Sequence, residues 1–413
     1  MRAPYSSHDP AELLDAAVIE DPHPFLARVR SENPISRVGE TGVHMVASWE
    51  RILEVLDREE DFSAHITGVL VRGAHGEPSI FDLPANDGTQ VIATADEPEH
   101  SVHRKLAKPR FSRARIEVLE PRIRAWAREA LAPWLGAGGG DFVPVAELVP
   151  AKAVGHVLGL PEGDVEHHRA WAMMGGEILA GDINPDGLRE LALATVEMAE
   201  YLGQHLEAAR EREVAPSGSS LLELLARGVD GGQVTRSEAA GIAIVMFGAG
   251  GESTSSLIGS ALRLLAEDPD LAQRIRSQRD LIPRFVEEAL RLEPPFKFHY
   301  RVIRRDCELG GYTLHPGDRL MLLWAAANRD PAIFSCPDEL QLDRKHPKHH
   351  LSFGRGAHFC IGEQLARLEA RVMIEEVLAA TSRFELDSNA PPVYARSIFV
   401  RRLEKLPILV SPA

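Results

Sequence analysis

The sequence predicts a mainly α-helical protein with small β-sheets. Apolar residues recur at helical spacing over long stretches, whereas few stretches alternate with the period of two that marks a strand. Short strand-like runs cluster at residues 35–47, 308–323 and 397–409. Because no internal repeat or low-complexity linker interrupts the chain, we expect one domain over residues 1–413.

Composition excludes several classes of protein. The 413 residues are 44% hydrophobic, enough for a large core, and the formal net charge of −15 disfavours nucleic acid and anionic membranes as partners. Three cysteines fit a reducing compartment. Residues 1–10 lack the apolar core of a signal peptide, and the longest uncharged apolar run, residues 239–251, is too short to span a bilayer. We therefore expect a cytoplasmic protein that binds neither membranes nor nucleic acid.

The sequence also predicts hairpin turns, one long loop and two amphipathic helices. Turns at Gly310–Gly311 and Pro316–Gly317 predict hairpins in the later strand cluster. Residues 63–95 are rich in Gly, Pro, His and Asp, which predicts a long loop that is either functional or a plain surface loop. Apolar spacing predicts helices over residues 112–135 and 186–213.

A long helix is predicted over residues 235–267, and its middle is apolar on all sides, so it should cross the core. That middle holds Gly248, Gly250 and Gly251, each costing about 1 kcal/mol relative to alanine. Stability alone does not favour three glycines there. They permit close approach of a flat object or a bend in the helix.

A charged residue and two hydroxyls, Glu252, Ser253 and Thr254, follow these glycines directly. A buried carboxylate costs several kcal/mol unless it is paired, so this group suggests a function. The alternative is that Glu252 begins an exposed face, which the return of apolar residues at Leu257 and Ile258 disfavours.

The strongest motif is a glycine-rich loop, residues 353–362 (FGRGAHFCIG), ahead of an amphipathic helix over residues 361–380. A cysteine at a helix N-terminus has its thiolate favoured by the helix dipole and by unpaired N–H groups. Cys360 therefore suits a soft metal ion carried by a large planar group. Cys307 and Cys336 lack such surroundings, and we expect small buried residues there.

Structural zinc is the competing metal interpretation. His346, His349, His350, His358 and Cys360 lie within one short segment. Zinc sites of the finger type, however, pair two cysteines with two histidines at fixed spacing, and only one cysteine is present here.

The loop of residues 353–362 resembles the haem-binding loop of the cytochrome P-450 monooxygenases. Further segments match in the family's order: Glu288 to Arg291 resembles its Glu-x-x-Arg helix, and residues 249–254 resemble its oxygen-binding turn. Residues 328–331 with Arg344 resemble the segment before the haem loop. The resemblance covers nearly the whole chain. It implies a single-domain cytochrome P-450 fold of the soluble bacterial type, with haem between the long central helix and the cysteine loop.

The resemblance also implies a cofactor, haem b, and the residues that bind it. Cys360 would be the metal ligand, an axial thiolate that favours O–O bond cleavage. Cationic and donor side chains would hold the two propionates, since arginine binds carboxylates in a fork. The implied cofactor-binding residues are His100, Arg104, Ala249, Arg301, Phe353, Gly354, His358, Cys360 and Gly362. A separate group of residues would stabilise the protein core behind the haem: Glu288, Arg291 and Arg344.

Glu252, Ser253 and Thr254 would be the catalytic residues that deliver protons to dioxygen. The family usually has threonine where this chain has Ser253, and serine keeps the hydroxyl but loses the methyl that restricts its rotamer. Thr254 is adjacent and can substitute. The acid–alcohol pair is lacking in the fatty-acid peroxygenase branch, so the resemblance favours dioxygen over peroxide as oxidant.

The implied activity is that of an oxidoreductase, a monooxygenase that hydroxylates or oxidatively couples a small organic molecule in secondary metabolism. The chain contains no flavin or iron–sulfur segment, so electrons should come from a ferredoxin and a ferredoxin reductase. Basic residues that should steer an acidic ferredoxin are Lys105, Lys108, Arg110, Arg113, Lys345, Lys348, Arg355 and Arg367. The alternative is a haem-binding ligand sensor without turnover, which would not need Glu252 and Ser253.

A strand is predicted at residues 296–301, which places Lys297, His299 and Arg301 on one face. If Arg301 meets a propionate, Lys297 either joins the same network or binds an acceptor on the substrate. By resemblance, the substrate contacts are residues 63–95, 160–187, 294–299 and 397–399.

Overall fold

The computed structural model describes residues 9–83, 90–182, 185–211 and 219–413. Its helices are α1 Ala16–Glu20, α2 His23–Glu32, α3 Trp49–Leu56, α4 Glu99–Ala107, α5 Arg113–Glu117, α6 Glu120–Gly136, α7 Val143–Leu158, α8 Val165–Ala172, α9 Pro185–Glu211, α10 Leu221–Asp230, α11 Arg236–Glu267, α12 Pro269–Ser277, α13 Ile282–Leu292, α14 Trp324–Ala327 and α15 Glu363–Ala380. Its strands are β1 Ile35–Val38, β2 Val43–Val46, β3 Phe62–Ser63, β4 Gly68–Arg72, β5 Pro78–Asp82, β6 Gly139–Asp141, β7 His299–Ile303, β8 Cys307–Leu309, β9 Tyr312–Leu314, β10 Arg319–Leu322, β11 Thr381–Leu386, β12 Val393–Tyr394, β13 Leu403–Lys405 and β14 Pro407–Pro412. The prediction of a mainly α-helical fold with small sheets is confirmed.

The central helix, α11, begins at a capping box. The hydroxyl of Thr235 accepts from the N–H of Glu238, and the Glu238 carboxylate accepts from the N–H of Thr235. The helix packs against α7, α8, α9 and α15, so residues on every side of its middle are buried. Among the described helices it alone is long and apolar enough to cross a membrane, and 61% of its most apolar window is buried inside the fold.

The largest sheet has five strands in the order β1-β2-β10-β7-β3. β10 runs parallel to β2 and antiparallel to β7, with Leu320 opposite Arg301 and Leu322 opposite His299. These pairings hold β7 as an inner strand. The backbone of His299 and Arg301 is therefore fixed by a neighbouring strand.

Four local predictions were wrong in part. Inside residues 63–95, β4 and β5 form a hairpin whose Val69 and Leu70 are fully buried, and residues 84–89 lie outside the described part of the chain. The helix predicted over residues 112–135 is two helices, α5 and α6, because Pro121 in the first turn of α6 favours a new start. The turn at Pro316–Gly317 closes no hairpin, since β9 pairs with β8. Residues 397–402 have no strand beyond one bridge at Val400.

A buried ionic cluster lies behind the cysteine loop. Glu288 accepts from Arg291 Nε at 2.7 Å and from Arg344 Nε at 3.0 Å. Arg291 also donates to the carbonyl oxygens of Asn328 and Glu339. The Glu288 and Arg291 side chains are each 1% exposed, so neither can exchange its partner for water.

Replacing Arg291 should therefore destabilise the protein strongly. Arg291→Leu leaves the Glu288 carboxylate buried with fewer partners, and breaking a buried pair in this way costs about 3–5 kcal/mol. Urea unfolding of the holoenzyme measures the loss. Arg113→Leu is the control, because the Arg113–Glu117 pair is 80% and 61% exposed and such pairs contribute about 0–1 kcal/mol. Equal midpoints for the two variants would contradict the expectation.

Candidate active site

A cavity of about 230 Å³ lies between α11 and the loop of residues 353–362. Much of its wall is apolar, with Ile92, Val154, Met246 and Phe296 among the lining residues. The predicted site residues that line it are Arg104, Ala249, Ser253, Thr254, Arg301, Phe353, Gly354, His358, Cys360 and Gly362. The structure thus brings together all of the predicted site residues except His100 and Glu252.

The cysteine loop is closed by its own backbone. The N–H of Cys360 donates to the Phe353 carbonyl at 2.9 Å, and Gly354 and Gly356 have φ angles of +66° and +75°. Other residues rarely adopt this left-handed conformation, so the two glycines let the chain turn. The guanidinium of Arg367 lies 4.5 Å from the centre of the Phe353 ring. The thiol of Cys360 is thereby presented to the cavity just before α15.

Burial decides the protonation of the Cys360 thiol when no metal cation is near. It raises the pKa of the thiol, whereas the backbone N–H of Gly362 and the guanidinium of Arg104 lower it. The helix N-terminus therefore acts in the predicted direction but is outweighed by desolvation. A metal cation reverses this balance, because a coordinating thiol is deprotonated outright.

The other two cysteines differ from the sequence-based expectation of small buried residues. Cys336 is exposed, at a φ of +44°, and Cys307 is partly exposed. Within the described ranges no three His, Cys, Asp or Glu side chains gather as a structural zinc ion requires.

Two histidines and two arginines surround one end of the cavity, and each histidine has one nitrogen without a protein partner. His100 and His358 have ring centroids 4.0 Å apart, and His100 Nε2 and His358 Nδ1 are buried without a hydrogen-bond partner. Arg301 donates to the carbonyl of Tyr300, and burial lowers the pKa of Arg301 to about 10. Arg104 donates to the carbonyl of Phe359 at 2.8 Å. Buried donors of this kind require an acceptor, and the two carboxylates of a haem supply that chemistry.

A second cavity, of about 180 Å³, adjoins this end. His100 lines it, and so do Arg301, Arg355 and His358, which line the first cavity as well. His100 therefore lies beside the donor cluster, as predicted, although it does not reach the larger cavity. Its Nδ1 contacts Glu97 Oε1 at 3.1 Å.

The hydroxyls of α11 lie on the cavity wall. Ser253 Oγ donates to the carbonyl of Ala249 at 2.6 Å, one turn earlier in the helix. Thr254 also lines the cavity and is buried. A hydroxyl that donates to its own helix keeps two lone pairs free, so Ser253 can accept a hydrogen bond from the cavity side.

Glu252 is buried, as predicted, at 1% exposure, but it does not line the cavity. Its Oε2 accepts from the N–H of Gly176 at 2.8 Å, and its Oε1 accepts from Arg402 Nε at 3.1 Å. Burial raises the pKa of Glu252 to about 7, and Arg402 opposes the rise. The carboxyl group can therefore hold or release a proton near neutral pH.

The glycines of α11 have a different use from the predicted one. A Cβ atom at Gly248 would lie 2.7 Å from the Cα of Gly175, and one at Gly251 would lie 2.2 Å from the Cβ of Ala172. These two glycines allow α8 and the segment after it to pack directly against α11. Of the three glycines, only Gly250 lines the cavity. The helix runs without interruption from Arg236 to Glu267, so the glycines do not break it.

Lys297 follows neither of its two predicted alternatives. Its Nζ donates to the carbonyl of Ser397 at 2.6 Å, away from the cavity residues. Burial lowers the pKa of Lys297 to about 7. The strand begins at His299 rather than at Phe296. Lys297 therefore lies just before the strand, where it bonds to the turn of residues 397–400.

Several functional contacts were not predicted. Gly176 and Arg402, the partners of Glu252, come from distant segments, and nothing in the local sequence identifies them. Trp324 and Glu369 also line the cavity. The sequence could have indicated Glu369, because it is an acidic residue on the apolar face of the helix after the cysteine loop. Burial raises the pKa of Glu369 well above its ordinary value.

Comparison with known proteins agrees with this geometry. The profile of the family described as Cytochrome P450 matches residues 188–402, more than half of the chain. Cytochrome P450 144 of Mycobacterium tuberculosis is 36% identical over 412 residues, covering 98% of this chain and 92% of that protein. Cytochrome P450 monooxygenase PikC of Streptomyces venezuelae is 30% identical over 399 residues, covering 94% and 91%.

The fold agrees as well. The crystal structure of HmtN, a post-tailoring hydroxylase involved in himastatin biosynthesis, superposes with a TM-score of 0.81 at 27% identity. The match covers 95% of this chain and 98% of that one. With a cysteine loop, unpaired donors and helical hydroxyls around one cavity, this chain belongs to the cytochrome P450 family and is a haem-iron oxidoreductase of the monooxygenase type.

Proposed function

We propose that this chain is a single-domain, cytoplasmic monooxygenase over residues 1–413 that hydroxylates or oxidatively couples a small organic molecule in secondary metabolism. The observation that carries the proposal is the shared cavity, which has the Cys360 thiol on one wall and the hydroxyls of Ser253 and Thr254 on another. HmtN, which has a similar fold, is involved in himastatin biosynthesis, and this supports the assignment of this chain to secondary metabolism.

Haem b fits the residues present. When bound, it supplies an iron that activates dioxygen with two electrons delivered singly. Cys360 would hold the iron, and Arg104, Arg301, His100 and His358 would bind the two propionates. Ala249, Phe353, Gly354 and Gly362 would lie against the macrocycle. Propionate binding would satisfy the buried nitrogens of the two histidines, which lack protein partners.

The residues of α11 would control protons and water. Ser253, with Thr254 beside it, would accept a hydrogen bond from a water in the cavity and hold that water as a proton carrier. Glu252 would pass protons inward from the side of Gly176 and Arg402, because both of its oxygens face that side. The apolar wall would exclude other water and orient the substrate.

Two measurements test the proposal. The holoenzyme should give the carbon-monoxide difference spectrum of a thiolate-bound haem. With NADPH, a ferredoxin and a ferredoxin reductase, it should also form an oxidised product from at least one compound of a broad panel. A thiolate spectrum without any product would favour the alternative of a ligand sensor, and the absence of that spectrum would refute both.

We infer that the ferredoxin binds the exposed basic residues near the cysteine loop. The predicted set must be reduced, because Arg110 is buried and Arg367 is only 15% exposed and pairs with the buried Glu287 at 2.6 Å. The exposed members are Lys105, Lys108, Arg113, Lys345, Lys348 and Arg355. The Phe359 side chain, 39% exposed beside Cys360, adds an apolar contact to this face.

Reversing two of these charges should slow reduction. In Lys345→Glu/Lys348→Glu, two exposed positions that line neither cavity, we expect reduction by ferredoxin at low salt to fall about tenfold, since steering changes association rates by 10–10³. Substrate affinity should be unchanged. Stopped-flow reduction measures the rate, and Arg189→Glu/Arg383→Glu gives the same change of net charge at exposed positions that line neither cavity. Equal slowing in both variants would contradict a local docking face.

A further inference from the structure

His299 stands on the aromatic part of the cavity wall. The rings of Phe296 and Phe399 stack with centroids 4.6 Å apart, and His299 meets each of them edge to face at 5.6 Å. His299 and Phe296 both line the cavity. The imidazole is thus a polar group placed among apolar rings.

The hydrogen bond to Trp324 fixes the tautomer of this imidazole. Trp324 Nε1 donates to His299 Nδ1 at 2.7 Å. An indole nitrogen can only donate, so Nδ1 must be the unprotonated nitrogen. A neutral imidazole then carries its proton on Nε2. Burial lowers the pKa of His299 to about 3, with Arg301 acting in the same direction, so the ring stays neutral at physiological pH.

The Nε2–H group therefore needs an acceptor. Trp324 is the hydrogen-bond partner that the described residues give to His299, and it uses the other nitrogen. His299 keeps some accessible surface although β7 is an inner strand of its sheet. Since His299 lines the cavity, that surface faces the cavity.

We propose that His299 presents Nε2–H as a fixed hydrogen-bond donor to an oxygen of the substrate, so that the enzyme prefers apolar molecules that carry a carbonyl, ether or hydroxyl oxygen. The proposal deepens the proposed function and rests on it. The donor needs no reorientation on binding, because Trp324 and the two phenylalanine rings hold the imidazole in place.

The position of His299 favours the substrate over a haem propionate as the acceptor. Arg301, Arg355 and His358 line both cavities, and this marks the end where the propionates would bind. His299, Phe296 and Trp324 line the larger cavity only. An aromatic wall with a single donor is complementary to an apolar body with one oxygen, not to a carboxylate.

Two probes that differ by one oxygen test the proposal: 4-phenylcyclohexanone and phenylcyclohexane. Their dissociation constants come from spectral titration of the ferric holoenzyme. His299→Leu should weaken binding of the ketone about tenfold, the effect of one buried hydrogen bond, and leave the hydrocarbon unchanged. His299→Gln should restore ketone binding within about threefold, because its amide can also donate.

Three outcomes would overturn the proposal: equal wild-type affinity for the two probes, equal weakening of both in His299→Leu, or haem loss from His299→Leu with unchanged ketone affinity. The last outcome would assign the donor to a propionate. A normal carbon-monoxide spectrum in every variant keeps the proposed function standing whichever result is found.

The tautomer is measured without any ligand. In histidine labelled with ¹⁵N, observed in the diamagnetic ferrous carbon-monoxide form, His299 should carry its proton on Nε2. Trp324→Phe removes the indole donor, so the proton should distribute between the two nitrogens and the preference for the ketone should fall. A proton on Nδ1 in the wild type would refute the proposal directly.

Discussion

Cys360→Ser should reduce monooxygenase activity to background. Serine removes the soft anionic sulfur that the cysteine loop presents to the cavity, and an alcohol beside iron is a weak, hard ligand at neutral pH. The loop itself should persist, because its closing hydrogen bond from the Cys360 N–H to the Phe353 carbonyl belongs to the backbone. We therefore expect partial haem retention together with loss of the thiolate-type carbon-monoxide spectrum.

Cys336→Ser is the matched control. Cys336 is exposed and lines neither cavity, so the same chemical change should leave the spectrum and the turnover unchanged. If Cys360→Ser kept the thiolate spectrum, the metal ligand would have to be another residue. If Cys336→Ser lost activity as well, the effect would not report on ligation.

Contiguous motifs explain why so much of the site could be predicted. The loop before α15 and the Glu252–Ser253–Thr254 group are short runs in which residue type and spacing already define the chemistry. The fold places Ser253, Thr254 and Cys360 on one cavity, as the resemblance implied. The helical spacing of α11 likewise predicted its bounds to within one residue.

Contacts between distant segments could not be predicted. Glu252 bonds to Gly176 and Arg402, which are 76 and 150 residues away in the chain. The sequence showed that stability does not favour Gly248 and Gly251 in a helix, but not that they allow close packing against Gly175 and Ala172. Exposure also depends on the fold. In the predicted basic set, Arg355 is exposed, whereas Arg367 is largely buried and pairs with Glu287.

The proton route gives the second large expected effect. Glu252→Gln should lower the rate of product formation by about 10²–10⁴, the usual contribution of a general acid or base. Glutamine keeps an oxygen that can accept from Gly176 or Arg402, so folding should be little affected. Electron entry should continue, and NADPH consumption should be diverted to hydrogen peroxide.

The hydroxyls should show the same uncoupling more mildly. Ser253→Ala should divert part of the NADPH to hydrogen peroxide, and Ser253→Ala/Thr254→Ala should divert more if Thr254 serves as a reserve. Ser256→Ala is the control, because the Ser256 hydroxyl also bonds within α11, to the carbonyl of Glu252, but does not line the cavity. Uncoupling by Ser256→Ala equal to that by Ser253→Ala would indicate a helix defect instead.

The pH dependence of product formation tests whether Glu252 is the proton source. Its pKa of about 7 keeps the group protonated below pH 7 and ionised above it. The fraction of NADPH that yields product should therefore fall as pH rises through about 7, and Glu252→Gln should lack this fall. Arg402 lowers the pKa of Glu252, so Arg402→Met should raise it and move the fall to higher pH. A profile that is the same in all three proteins would show that protons reach the site by a route without Glu252.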